Sequence, residues 1–254
     1  MKICCVRAKT LKIVCAFLIV FVLCFSVVLT KESKTITTGY AARKVPVYYV
    51  DRQDKKIAIT FDAAWGADKT QQIVDICKQK GIRCTFFLVG FWVKDYPEMV
   101  RAIDEAGMEI GTHSNTHPKM SGLSETQIRE ELETSIKLIE DITHKEIKLF
   151  RQPFGDYNDR LVSVCESMNL QAIQWDVDSL DWKGLSAGEI LSRVGKSVRS
   201  GSIILCHNNS DHIVDALPTL IDTLRGRGFE FVPVGELLLD GQCVVDNNGM
   251  QKNK

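Results

Sequence analysis

Short, densely apolar runs alternate along this chain with longer stretches in which apolar residues recur every three or four positions. The short runs lie at 57–61 (IAITF), 83–89 (RCTFFLV), 108–112 (MEIGT), 147–150 (IKLF), 170–175 (LQAIQW), 202–206 (SIILC) and 229–232 (FEFV). Their length and their β-branched and aromatic content predict strands. The recurring pattern predicts helices near 69–80, 96–106, 124–141, 158–168, 186–198 and 212–226. Ser124 with Gln127 has the form of a capping box, and Gly81 and Gly107 fall where helices should stop. The run 46–50 (PVYYV) adds an edge strand or hairpin before the first repeat. Strands alternating with helices predict parallel β/α units, enough of them to curl into an α/β barrel.

The pattern breaks at both ends. Residues 13–29 are apolar and uncharged, near the short limit for crossing a bilayer. Lys2, Arg7, Lys9 and Lys12 precede them, which predicts an inside N-terminus and an outside C-terminal domain. The residues after Leu29 (Thr30, Lys31, Glu32, Ser33) fit a signal-peptidase site poorly, so an anchor is favoured over a cleaved signal. The expected organisation is a basic cytoplasmic segment (1–12), a membrane segment (13–30), a polar linker (31–45), a catalytic-type domain (46–240) and a flexible tail (241–254) containing Asn247-Asn248-Gly249.

Composition narrows the function classes. The 32 basic and 32 acidic residues balance, so no basic footprint for nucleic acid is present. The cysteines at 77, 84, 165, 206 and 243 form no Cys-x-x-Cys pair, which argues against a zinc finger or a disulfide framework.

Polar residues cluster where the predicted strands end, the rim on which β/α barrels carry their chemistry. Asp62 follows 57–61, and His113 and His117 follow 108–112. Arg151 follows 147–150. Asp176, Asp178 and Asp181 follow 170–175, and His207 follows 202–206. Each has an ordinary alternative: Asp62 as a helix N-cap, Arg151 as a surface cation, His207 as a core histidine. His113 and His117, four apart, would face one way on a helical turn, a spacing that suits a metal such as zinc. Trp65, Trp175 and Trp182 are candidates to line a sugar cleft, although each alone is more often a core residue. His144 and His212 are given no role.

The segments TFDAAWG (60–66), HSNTH (113–117), RQPFG (151–155), DVDSLDW (176–182) and LCH (205–207), in this order, resemble the five motifs of the polysaccharide deacetylase (NodB-homology) family. The resemblance spans roughly residues 56–240 and is most like the sporulation deacetylases of PdaB type from endospore-forming bacteria. It implies a distorted (β/α)7–8 barrel that hydrolyses N-acetyl groups of amino sugars, with peptidoglycan as the expected glycan and a divalent metal, zinc or cobalt, as cofactor. By resemblance Asp62 is the base, His113 and His117 are metal ligands, and His207 is the acid. Arg151 orients Asp62 or an acidic partner, and Leu205 lines the acetyl pocket. The acidic partner is Asp178 or Asp181, with Asp181 preferred. Phe154, Trp182 and Asp178 are implied in substrate contact.

The pattern departs from the family at Ala63, where a second aspartate, a metal ligand, is usual. A methyl group does not coordinate, and catalytic zinc normally has three protein ligands. The readings left open are weak metal binding, substitution by a nearby acid such as Asp68, or loss of catalysis in favour of glycan binding.

Overall fold

The computed structural model describes residues 43–254. The segments expected at 1–12 and 13–30, and most of the linker, lie outside the described residues. Among the described residues no helix is long and apolar enough to cross a membrane.

The central strand is β2 (Lys56–Ala63), which is buried along nearly its whole length. A strand covered on both faces reads as a continuous apolar run, which is what 57–61 shows. Its side chains alternate. Ile57, Ile59, Phe61 and Ala63 enter an apolar cluster shared with the helices, while Ala58 enters the cluster inside the sheet's curve. Thr60 and Asp62 fall on the same face as Ala58. Burial of a side chain such as Phe61, stacked on Phe86 at 5.2 Å, contributes about 1.5–3 kcal/mol.

Parallel strands flank β2 on both sides. On one side lie β3 (Thr85–Leu88), β4 (Glu109–Thr112), β5 (Leu149–Phe150) and β6 (Gln171–Ala172); on the other lie β8 (Ile203–His207) and then β7 (Val177–Asp178). The short β9 (Glu230–Phe231) pairs with the start of β2. Helices carry the crossovers: α1 (Thr70–Gln79), α2 (Gly90–Asp95), α3 (Pro97–Glu105), α4 (Glu125–Thr143), α5 (Asp159–Ser167), α6 (Ala187–Ser197), α7 (Ile213–Gly226) and α8 (Val234–Leu237). Ser124 caps α4 with the expected box, and Ser186 with Glu189 caps α6 in the same way.

The result is an α/β half-barrel of parallel strands rather than a fully laddered barrel, because β6 and β7 share no ladder among the described residues. Residues 173–176 span the gap. The expected strand 170–175 therefore ends early, and Asp176 and Asp178 do not share one strand end. Asp176 is a structural residue: its carboxylate accepts from the Ile203 N–H at 3.0 Å and Ser202 Oγ at 3.0 Å, and pairs with Arg199. Val47 bridges Ile173 across the same opening.

At the ends of the domain the edge strand expected at 46–50 is present and the tail expected at 241–254 is corrected. The run 46–50 yields β1 (Tyr49–Val50), which pairs in parallel with β11 (Met250–Asn253). The tail is no frayed end, since β10 (Cys243–Val245) and β11 form an antiparallel hairpin. Asp246 Oδ1 accepts from the N–H groups of Asn248 and Met250, so Asn247-Asn248-Gly249 is the hairpin turn. The missing signal was the partner strand, some 200 residues away in sequence. Val50 is seated against Gly201, where a Cβ would lie 1.7 Å from the Val50 carbonyl oxygen at a φ of +80°. Only glycine allows that contact.

Candidate active site

A cleft of about 650 Å³ opens at the carboxyl ends of the strands. Asp62, His113, His117, Phe154, Asp178, Asp181, Trp182, Leu205 and His207 all line it. Arg151 does not; it lies fully buried behind Asp62. Asp62 sits on β2 itself, well before the first residue of α1, so it is no helix N-cap.

Arg151 anchors the cleft floor. Its Nη1 donates to Asp62 Oδ1 at 2.8 Å and to Thr60 Oγ1 at 2.7 Å, and its Nη2 donates to the Gln174 carbonyl at 3.0 Å. The guanidinium lies 4.2 Å from the Phe87 ring centroid, a cation–π contact. Burial alone would push Asp62 up, but the Arg151 guanidinium beside it, with His207 across the cleft, outweighs burial and holds the carboxyl below its ordinary value.

His113 and His117 converge, with ring centroids 5.0 Å apart. The cause is not a helical turn, as their spacing suggested. Residues 113–118 are non-helical, and Ser114 and His117 take left-handed φ values of 70° and 59°. The loop is shaped from outside by Glu131 on α4. Its Oε2 accepts from the N–H groups of Asn115 at 2.9 Å and Thr116 at 2.8 Å, and its Oε1 accepts from Thr116 Oγ1 at 2.6 Å. Ser114 Oγ accepts from the His117 N–H at 3.0 Å. Glu131 was not identified from sequence, since a glutamate on an amphipathic helix looks like any solvated charge.

His113 Nδ1 donates to the Arg151 carbonyl at 2.7 Å; a carbonyl only accepts, so the proton is on Nδ1. Its Nε2 is left with a lone pair, 3.5 Å from Asp62 Oδ2. Burial is the main reason both imidazoles stay neutral, and His117 is held down to about 4. Two neutral imidazoles are the right donors for zinc.

The third ligand is missing. Ala63 is fully buried, belongs to the helix-side apolar cluster and does not line the cleft. Asp68 does not line the cleft either, and its carboxylate accepts from Asn209 Nδ2 at 3.4 Å. Among the described residues no group of three or more His, Cys, Asp and Glu side chains is placed to hold a metal ion. The donor set therefore does not fit a tightly held catalytic metal.

The other half of the cleft centres on His207, whose side chain is 31% exposed. Its Nδ1 pairs with Asp181 Oδ1 at 2.8 Å, which leaves Nε2 free. Asp181 Oδ2 accepts from the His207 N–H and from Ser210 Oγ, each at 2.8 Å. Burial would lower His207, but the adjacent Asp181 carboxylate more than offsets it and holds the imidazole above its ordinary value. Burial likewise works against the Asp181 anion, and the bonds from His207 outweigh it. Ser210 lay unread in the polar loop after the fifth motif. Asp178 accepts from the Leu180 N–H and does not reach Arg151 or His207 in any hydrogen bond among the described residues. Leu205 is buried and lines the cleft.

Comparison with known proteins identifies the family. The polysaccharide deacetylase family profile matches residues 49–173. A peptidoglycan-N-acetylglucosamine deacetylase of Bacillus cereus is 33% identical over 79% of this chain and 94% of its own length. PgdA of Listeria monocytogenes, also a peptidoglycan-N-acetylglucosamine deacetylase, is 31% identical over 76% of this chain. The chain spans only 41% of PgdA, and 60% of the uncharacterized YlxY of Bacillus subtilis. Among solved structures, a CE4 family pseudoenzyme from Bacillus anthracis superposes with a TM-score of 0.74 at 33% identity, covering 76% of this chain and 68% of that one. A mutant of it with restored enzymatic activity matches equally well, with a TM-score of 0.74. Fold, motif order and relatives coincide, and the chain belongs to the polysaccharide deacetylase family.

Proposed function

We propose that this protein removes N-acetyl groups from amino sugars of peptidoglycan, with intrinsic turnover limited by its incomplete metal-ligand set. The observation that carries this reading is the pairing of Asp62 and His207 across one cleft, each with its own oriented partner. An amide substrate needs a base to take a proton from the attacking water and an acid to give one to the departing amine. Asp62, held ionised by Arg151, is suited to the first task. His207, held protonated to higher pH by Asp181, is suited to the second through Nε2. The donors present do not fit a tightly held metal.

The resemblance to PdaB-type proteins supports cell-wall or spore-cortex peptidoglycan as the substrate, in sporulation. The basic residues before the apolar run 13–29 support a membrane-anchored protein with its domain outside the cytoplasm. A second reading, glycan binding or envelope assembly without turnover, is favoured by Ala63. Acetate release from peptidoglycan, with and without added zinc or cobalt, separates the two. Release that disappears when His113 and His117 are replaced supports the hydrolase; glycan binding with no acetate release under any metal supports the binding protein.

A further inference from the structure

The loop 208–211 leaves β8 directly after His207 and leads into α7. Its residues (Asn208, Asn209, Ser210, Asp211) are all polar, the kind of segment that usually lies loose at a surface. Here it is gripped. The Asn208 N–H donates to the Asp62 carbonyl at 3.1 Å. The buried Asn208 side chain donates through Nδ2 to the Gly66 carbonyl and to Thr70 Oγ1, each at 2.9 Å. Lys69, just before α1, holds the other end. Its Nζ donates to the carbonyls of Ser210 at 2.9 Å and Asp211 at 3.0 Å. The segment that carries the base and the loop behind the acid are thus braced against each other at two points.

A surface lysine normally extends its ammonium into water. The Lys69 side chain is only 26% exposed, and its ammonium is turned onto two main-chain carbonyls. The ion pair with Asp211, at 3.6 Å, does not account for this. The Asp211 side chain is 80% exposed, and a pair so solvated contributes little. What the grip fixes is the backbone of Ser210. That residue is buried, and its Oγ donates to Asp181 Oδ2 at 2.8 Å. A serine hydroxyl rotates towards whichever acceptor is near, so the position of its backbone decides that it stays on this carboxylate. Asp181 in turn holds His207 through Nδ1. A donor on a carboxylate stabilises the anion and makes it a weaker base towards its other partners.

We propose that Ser210, held in place by Lys69, is a positioning residue for the acid: its hydroxyl tempers the Asp181 carboxylate and so sets how firmly His207 keeps its proton. This rests on the reading of His207 as the acid. An acid that is held too firmly gives its proton to the departing amine less readily, so the tempering serves turnover.

The test is NMR titration of the His207 imidazole in the full-length chain in detergent. Burial lowers His207, and the charges of Asp181, Asp62 and Asp178 raise it. His113 and His117 lie across the cleft, and neither is hydrogen-bonded to it among the described residues. Ser210→Ala alters none of these groups. It should raise the His207 titration by about half a unit. The alkaline limb of acetate release should move to higher pH with it, whereas loss of the Asp181 charge would move that limb the other way. Lys69→Met should give a similar rise, and Lys69→Arg, which keeps two donors, should titrate as wild type. Lys69→Met also removes a charge, so the double variant identifies its route. If the lysine acts through Ser210, adding Lys69→Met to Ser210→Ala moves the imidazole no further. An additive second shift would overturn the role of Lys69. A Ser210→Ala variant that melts lower but leaves the imidazole unmoved, or lowers it, would make the serine merely structural and overturn the proposal. Titrations that move as expected in a chain that releases no acetate would leave the brace standing and remove the hydrolase reading.

Discussion

The Asp181 carboxylate holds His207 at two points, the ring Nδ1 through Oδ1 and the backbone N–H through Oδ2, each at 2.8 Å. A carboxylate bound to both ends of one residue fixes the ring's direction as well as its charge. The His207 share of stability is fully present below its ordinary value of about 6.5 and is lost as pH rises through its raised folded value. For Asp181, whose value is lowered, the share is present above about 3.9 and is lost as pH falls through the depressed value. Asp181→Asn removes the anion, so burial, opposed only by the more distant Asp62 and Asp178 charges, should bring His207 down. NMR titration of the His207 imidazole checks this, and the alkaline limb of acetate release should move to lower pH with it. An unmoved imidazole titration would show that Asp181 does not set the His207 charge.

Asp62→Asn should abolish acetate release while glycan binding persists. The amide oxygen still accepts from Arg151 but takes no proton from water. Leaving a buried guanidinium with a neutral partner should cost about 2 kcal/mol, less than the 3–5 kcal/mol of an outright broken buried pair. Thermal melts alongside the assay check both parts, and retained turnover would remove Asp62 from the base role.

Glu131→Ala should loosen the loop that aims His113 and His117. Hydrogen bonds to a charged group are worth about 1.5–3 kcal/mol each at most, so a melting decrease of one to a few kcal/mol is expected. The sharper readout is His117, held down to about 4 by burial. Its imidazole should titrate closer to 6.5 in the variant as the loop opens to water. An unchanged His117 titration would show that Glu131 does not shape the site.

Ala63→Asp places a carboxylate at the top of β2, next in register to Leu88, whose carbonyl accepts from the His113 N–H. Zinc and cobalt affinity should rise, and acetate release should rise with it. The metal-free variant should melt lower, because the methyl it replaces is buried in an apolar cluster. A variant that melts lower and binds no more metal would make Ala63 a core residue and favour the binding-protein reading.

Deleting residues 241–254 should destabilise the domain. The β10–β11 hairpin pairs with β1, and the buried Gln251 accepts from the Leu239 N–H. Removing it takes Val245 away from the cluster that Val50 belongs to. A melting point equal to that of the intact chain would return this segment to the status of a tail.

The β/α order was legible because strands buried on both faces and amphipathic helices leave strong, different periodicities. The cleft residues were legible because chemistry collects at strand ends and the motif order is specific. What stayed hidden depended on distance. Glu131 acts on a loop 15 residues away, and the hairpin finds its partner across almost the whole domain. Asp176 stood in a chemical-looking run yet fastens the sheet opening through Ser202 and Ile203. The helical-turn argument for His113 and His117 reached the right convergence by the wrong geometry, because left-handed residues at 114 and 117 bend the loop instead.

The buried pairing of Arg151 with Asp62 has a consequence for how such a chain can decay. A lineage that stopped turning over substrate could not shed Asp62 freely, since Arg151 would be left as an uncompensated charge beneath the cleft. Ala63, against apolar neighbours, carries no such debt, and a ligand lost there leaves the fold content. Persistence of Asp62 is therefore a weak witness to catalysis. His207 is the better one. It is partly exposed, and without it Asp181 would still accept from Ser210 and from backbone N–H groups. The architecture holds the chain to that imidazole less strictly than to Asp62, because Asp181 keeps other donors, so drift would be expected to erase it first once the chemistry ceased.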